Sequence, residues 1–138
     1  MMKTTLLYIA LVLLSVNLTG QNLLGYKAGR IEKYISRNHT DLVREENSRN
    51  DHYKYLKYTD GTAGTSTVYF FLSEQNKCNR IKSMHVHGLR DEVQKELDRM
   101  YVKTGENTWT DRKKGRDATI KLVNEEWFFS VTIEPVKK

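Results

Sequence analysis

The chain has 138 residues and a formal net charge of +6, and 38% of its side chains are hydrophobic. A length of this order fits one domain, and a single proline with few low-complexity tracts argues against disorder. The lone cysteine, Cys78, excludes an internal disulfide, so a packed core must hold the fold together.

The first 20 residues predict a cleaved secretory signal. Lys3 supplies a positive charge, and Leu6 to Leu14 is a continuous apolar run. At about 1.5 Å per residue this run spans about 14 Å, well short of a hydrocarbon core of about 30 Å. We therefore expect cleavage between Gly20 and Gln21, no membrane span in the mature protein, and a periplasmic or extracellular location.

The first half of the mature chain predicts one helix followed by three strands. Apolar residues at helical spacing predict a helix from Ala28 to about Glu45, and alternating tyrosine and lysine predict a strand over Tyr53 to Thr59. Thr67 to Leu72 is aromatic and β-branched, and Arg80 to His87 alternates in polarity. The polar stretch Glu74 to Lys77 joins these two runs, so together they predict a hairpin.

The second half repeats this order. Leu89 to Val102 carries one apolar helical stripe, and three strands follow at Thr108 to Arg112, Ala118 to Val123 and Trp127 to Val136. Within the last strand, Trp127 alternates in phase with Phe129, which predicts that the two rings lie on one face of the strand.

The element order predicts an α+β fold. We expect a two-layer sandwich over residues 21–138, in which a six-stranded antiparallel sheet carries two helices on one face. Because helix-strand-strand-strand occurs twice, the sequence also predicts an internal repeat relating residues 25–87 to residues 88–138.

Strand alternation predicts which side chains face the helices. The predicted inward set is Phe70, Leu72, Met84, Val86, Ile120, Leu122, Phe129 and Val131. The other face would then show Tyr69, Phe71, His85, His87 and Phe128. A mixture of aromatic rings and histidines is typical of protein interfaces, so these five residues are the predicted binding surface.

This order of elements behind a signal peptide resembles the β-lactamase-inhibitor-protein-like fold and small exported bacterial proteins of unknown function. The resemblance covers the mature chain in element order and includes no residue motif. It implies that the open face of the sheet grips another protein.

His85 and His87 suggest an alternative function. Two histidines at i and i+2 on a strand have Cα atoms about 6.6 Å apart, close enough to chelate one Zn²⁺ or Cu²⁺. A stable site needs a third ligand, and Asp91 is the nearest candidate along the chain. The alternative prediction is thus a metal-binding domain centred on the two histidines.

No sequence motif indicates catalysis or a cofactor. The chain contains no G-x-S-x-G, H-E-x-x-H or glycine-rich phosphate loop. Nucleic acid is not expected as a partner, because the protein is predicted to be exported and shows no nucleic-acid-binding signature. We therefore predict a non-enzymatic binding or inhibitor-like module, whose partner is an unknown protein or cell-envelope ligand. Homodimerisation, or covering of the face by the N-terminal lead, remains an alternative.

Overall fold

The computed structural model describes residues 22–45, 54–61, 64–112 and 117–136. The predicted signal, residues 1–20, lies outside these ranges. In chain order the elements are α1 (Ala28–Asn38), β1 (Val43–Glu45), β2 (Tyr55–Thr59), β3 (Ser66–Leu72), β4 (Cys78–His85), a one-turn 3-10 helix (His87–Leu89), α2 (Arg90–Met100), β5 (Val102–Gly105), β6 (Thr108–Asp111), β7 (Ala118–Asn124) and β8 (Phe129–Pro135).

All eight strands form one antiparallel sheet in the order β1-β2-β3-β4-β8-β7-β6-β5. Each half of the chain supplies one helix and a four-stranded meander, and β4 pairs with β8 where the meanders meet. The predicted α+β class with one antiparallel sheet and two helices is confirmed. The predicted strand number is wrong, because the sheet has eight strands. The proposed duplication stays a prediction, although β2, β3 and β4 occupy positions equivalent to those of β6, β7 and β8.

The two strands that the sequence did not predict are the sheet edges. β1 lies within the predicted first helix and β5 begins at Val102, where the predicted second helix ends, but α1 stops at Asn38 and α2 at Met100. Both strands have three or four residues, and all of them are exposed. Because neither strand has a buried face, neither shows alternation of polarity, and the apolar residues Val43 and Val102 extended the helical pattern instead.

Both helices pack on the same face of the sheet. The registers align one row of inward residues across six strands: Leu56, Phe70, Ile81, Ile133, Ile120 and Trp109. At one end of the sheet Trp109 Nε1 donates to Asp98 Oδ1 of α2 at 2.8 Å. At the other end Arg44, which lies on the same face of β1, forms a 2.5 Å ion pair with Glu32 of α1. No helix in the described ranges is long and apolar enough to cross a membrane.

The predicted facing of β3 is confirmed, whereas that of β4 is wrong. Val68 and Phe70 are buried, but on β4 the buried residues are Cys78, Ile81, Ser83 and His85. The sequence prediction placed Met84 inside because it is apolar. That choice would also have buried Lys82, and burying an ammonium group without a partner costs far more than burying a neutral serine or histidine.

We expect neighbouring phenylalanines of β3 to differ sharply in their contribution to stability. Phe70 is 1% exposed in the core, so Phe70→Ala should lower the free energy of unfolding by about 3–5 kcal/mol. Phe71 is half-buried on the other face, so Phe71→Ala should cost only about 1 kcal/mol. Urea denaturation of the two variants measures the difference. Equal losses would contradict the assigned facing of β3.

Candidate binding surface

The sheet face turned away from both helices, called the open face below, carries a cluster of three aromatic rings. Tyr69 and Phe71 of β3 stack with centroids 6.0 Å apart and an angle of 17° between their planes. Tyr55 of β2 lies 5.6 Å from Tyr69 and 6.0 Å from Phe71. All three side chains are half-buried, so part of each ring remains accessible. The structure thus brings together two of the five predicted surface residues and adds Tyr55.

Cationic side chains cover faces of these rings. The Arg80 guanidinium lies 4.3 Å from the Phe71 centroid, and Lys57 Nζ lies 5.6 Å from that of Tyr69. Lys57 also forms a 2.9 Å ion pair with Glu45, and hydrogen bonding to this carboxylate raises the pKa of Lys57. Cation–π contacts of this kind hold long side chains in place, which lowers the entropy lost when they bind a ligand.

His85 does not belong to the open face, contrary to the sequence prediction. It is 4% exposed on the helix side, where its Nδ1 lies 2.7 Å from Ser66 Oγ and its ring lies 5.2 Å from that of Phe129. Its Nε2 is buried and has no hydrogen-bond partner among the described residues. Burial lowers the pKa of His85 to about 4, against a smaller opposing effect of Asp60, so the ring is neutral at pH 7.

His87 and Phe128 lie apart from the aromatic cluster. β4 ends at His85, and His87 opens the 3-10 helix, where its exposed ring places Nε2 3.2 Å from the Glu126 carbonyl oxygen. Phe128 is half-buried just before β8 and uses its carbonyl to accept a hydrogen bond from Glu125. With one histidine in the core and the other at the surface, the two do not share a strand face.

The described residues include no group of three or more histidine, cysteine, aspartate or glutamate side chains placed to hold a metal ion. Cys78 is 3% exposed, and burial raises the pKa of its thiol to about 12. A thiol so placed stays protonated and cannot act as a nucleophile at neutral pH.

Trp127 is a residue that the sequence placed wrongly. It was predicted to lie in the last strand on the same face as Phe129, but it lies in the turn between β7 and β8 and is 80% exposed. The turn after β7 is longer than the sequence indicated, because β8 begins only at Phe129.

The open-face residues Tyr55, Lys57 and Arg80 were also missing from the predicted surface. Alternation of tyrosine and lysine in β2 showed that one face of this strand was polar. Which residues of β3 and β4 lay beside them depends on the register, and a bulge between Phe71 and Leu72 sets that register.

Comparison of the chain with models of protein families, with curated proteins and with solved structures gave no match.

We expect the buried His85 to make the protein less stable in mild acid. Because its pKa is lower in the folded protein than the ordinary 6.5, the unfolded chain takes up the proton first as the pH falls. Stability is therefore full above pH 6.5 and declines toward pH 4, with a total loss of roughly 3 kcal/mol from this group.

Urea denaturation at a series of pH values tests this expectation. His85→Gln should be less stable at neutral pH, but its stability should change less between about pH 6.5 and pH 5, where carboxylates contribute little. His39, whose pKa is also lowered by burial, is present in both proteins, so the stability of the variant should still fall with decreasing pH, but less steeply than that of the wild type. Identical slopes for the wild type and the variant would contradict the assignment.

Proposed function

We propose that the protein is an exported, non-enzymatic binding module that engages its partner through the open face of the sheet. The single observation behind this proposal is the aromatic cluster with Arg80 and Lys57 over its rings. Aromatic and arginine side chains are the residue types that contribute most to binding energy at interfaces, particularly when they are already ordered. The proposed contact residues are therefore Tyr55, Tyr69, Phe71 and Arg80.

The composition of the open face supports binding better than a purely structural role. An antiparallel sheet can leave one face in water, but a face with no role beyond solubility needs only polar side chains. Here three half-buried rings contact one another on that face. The resemblance in element order to inhibitor-like exported proteins agrees with this interpretation.

The metal-binding alternative loses its support because it needs His85. That imidazole is buried and its Nδ1 is engaged with Ser66, so His87 would have to bind a metal without it. Acid–base catalysis by His85 is disfavoured for the same reason, since a neutral ring of such low pKa is a weak base.

Affinity capture from a cell-envelope extract tests the proposed surface. We expect Tyr69→Ser and Phe71→Ser each to lower the yield of partners captured by the wild type by about tenfold, the usual effect of losing a strong contact residue. Quantitative mass spectrometry of the captured material gives the yields.

Tyr26→Ser is the matched control. Tyr26 is also a half-buried tyrosine with a cation over its ring, since the Arg30 guanidinium lies 4.0 Å away, but it lies beside α1 and not in the aromatic cluster. The control should keep the wild-type yield. If all three variants capture the same partners equally well, the open face is not the surface that binds those partners.

A further inference from the structure

A straight row of lysines crosses the open face, formed by Lys57 of β2, Lys82 of β4 and Lys121 of β7. One residue of an intervening strand separates each lysine from the next. Tyr69 of β3 pairs with both Lys57 and Lys82, and Thr132 of β8 pairs with both Lys82 and Lys121. Adjacent strands lie about 4.8 Å apart and successive lysines lie two strands apart, so their Cα atoms are separated by roughly 10 Å. This lysine row brings together residues that are far apart in the sequence.

The row is positively charged and accessible. Lys121 is exposed and Lys82 is half-buried, and neither forms an ion pair with another described residue. Lys57, at one end, is paired with Glu45. Between the lysines lie Tyr69 and Thr132, whose hydroxyl groups can donate and accept hydrogen bonds.

The remaining charges of the open face keep it positive. Arg80 adds a further cation next to the row, and Glu134 adds a second carboxylate to that of Glu45. The described part of the face therefore has four cations and two carboxylates. An anionic ligand is attracted to such a surface, and the attraction weakens as salt is added.

The geometry favours a linear anion over an acidic protein surface. Evenly spaced cations in a line match a chain whose negative charges recur at a fixed interval, whereas carboxylates on a folded protein are irregularly placed. Hydroxyl groups alternating with the cations match an extended chain that carries both carboxylates and hydroxyls, as an acidic polysaccharide does.

Single-stranded nucleic acid is a poorer fit, because it binds mainly by stacking its bases on free aromatic ring faces. Here the rings of Tyr69 and Phe71 stack on each other, Lys57 lies over Tyr69, and Arg80 lies over Phe71. The face thus offers cations and ring edges to a ligand.

We propose that the lysine row binds a linear acidic polysaccharide, whose carboxylates contact Lys82 and Lys121 and whose hydroxyl groups contact Tyr69 and Thr132. This inference rests on the proposed binding role of the open face and names the class of ligand. A chain that repeats its charges can engage the row in many equivalent positions, so affinity should rise with chain length.

Calorimetric titration of the purified protein with polygalacturonate tests the inference. We expect binding that weakens with salt, and no binding of the fully methyl-esterified polymer, which keeps the sugar rings but lacks the charge. Lys82→Ala with Lys121→Ala should weaken binding by about tenfold, since each exposed charge contact is worth roughly a factor of three.

Two further variants separate position from total charge. Lys33→Ala with Lys95→Ala removes the same net charge from exposed sites on α1 and α2 and should leave binding unchanged. Lys82→Arg with Lys121→Arg keeps the charges and should retain most of the affinity. Melting temperatures of all variants check that each is folded.

Three results would overturn the inference. These are no binding of polygalacturonate, equal losses in the two alanine pairs, or tighter binding of single-stranded DNA than of polygalacturonate at the same salt concentration. If polygalacturonate fails while capture from the envelope still depends on Tyr69 and Phe71, the ligand class is wrong and the proposed binding function stands. If polygalacturonate does not bind and capture does not depend on Tyr69 and Phe71, the proposed binding function is wrong as well.

Discussion

The antiparallel pairing of β4 with β8 is the constraint on which the rest of the structure depends. It joins two four-stranded meanders into one sheet and places Ile81 opposite Ile133, and His85 opposite Phe129. Because side chains alternate along a strand, this one register decides which residues of both central strands meet the helices. A slip by one residue would move Lys82 into the core and bring His85 to the surface.

Sequence patterns predicted the longer elements and missed what depends on pairing. The helices and the six strands with a buried face carry clear periodicity, so the α+β class and the inward facing of Phe70 followed from local signals. β1 and β5 have no buried residue and so show no alternation, and each pairs with one neighbouring strand at an edge of the sheet. The sequence left the facing of β4 ambiguous, since apolar Met84 and Val86 alternate in one phase and apolar Ile81 in the other.

The predicted binding surface was right where the strand pattern was clear and wrong where it was ambiguous. Tyr69 and Phe71 were placed correctly because β3 is strongly patterned, whereas His85 was misplaced together with its strand. The two faces of the sheet carry different kinds of side chain. The imidazole of His85 and the thiol of Cys78 lie in the core, where burial keeps both groups neutral. The open face carries the aromatic rings and the lysine row.

Thiol labelling of single substitutions on β4 tests the register most directly. The native Cys78 is 3% exposed and should not react with a polar thiol reagent in the folded protein, so it provides a silent background. We expect Met84→Cys to react at a rate close to that of an unfolded control and Ser83→Cys to be protected. Rapid labelling of Ser83→Cys together with protection of Met84→Cys would show that β4 faces the opposite way, and both the open face and the lysine row would then be lost.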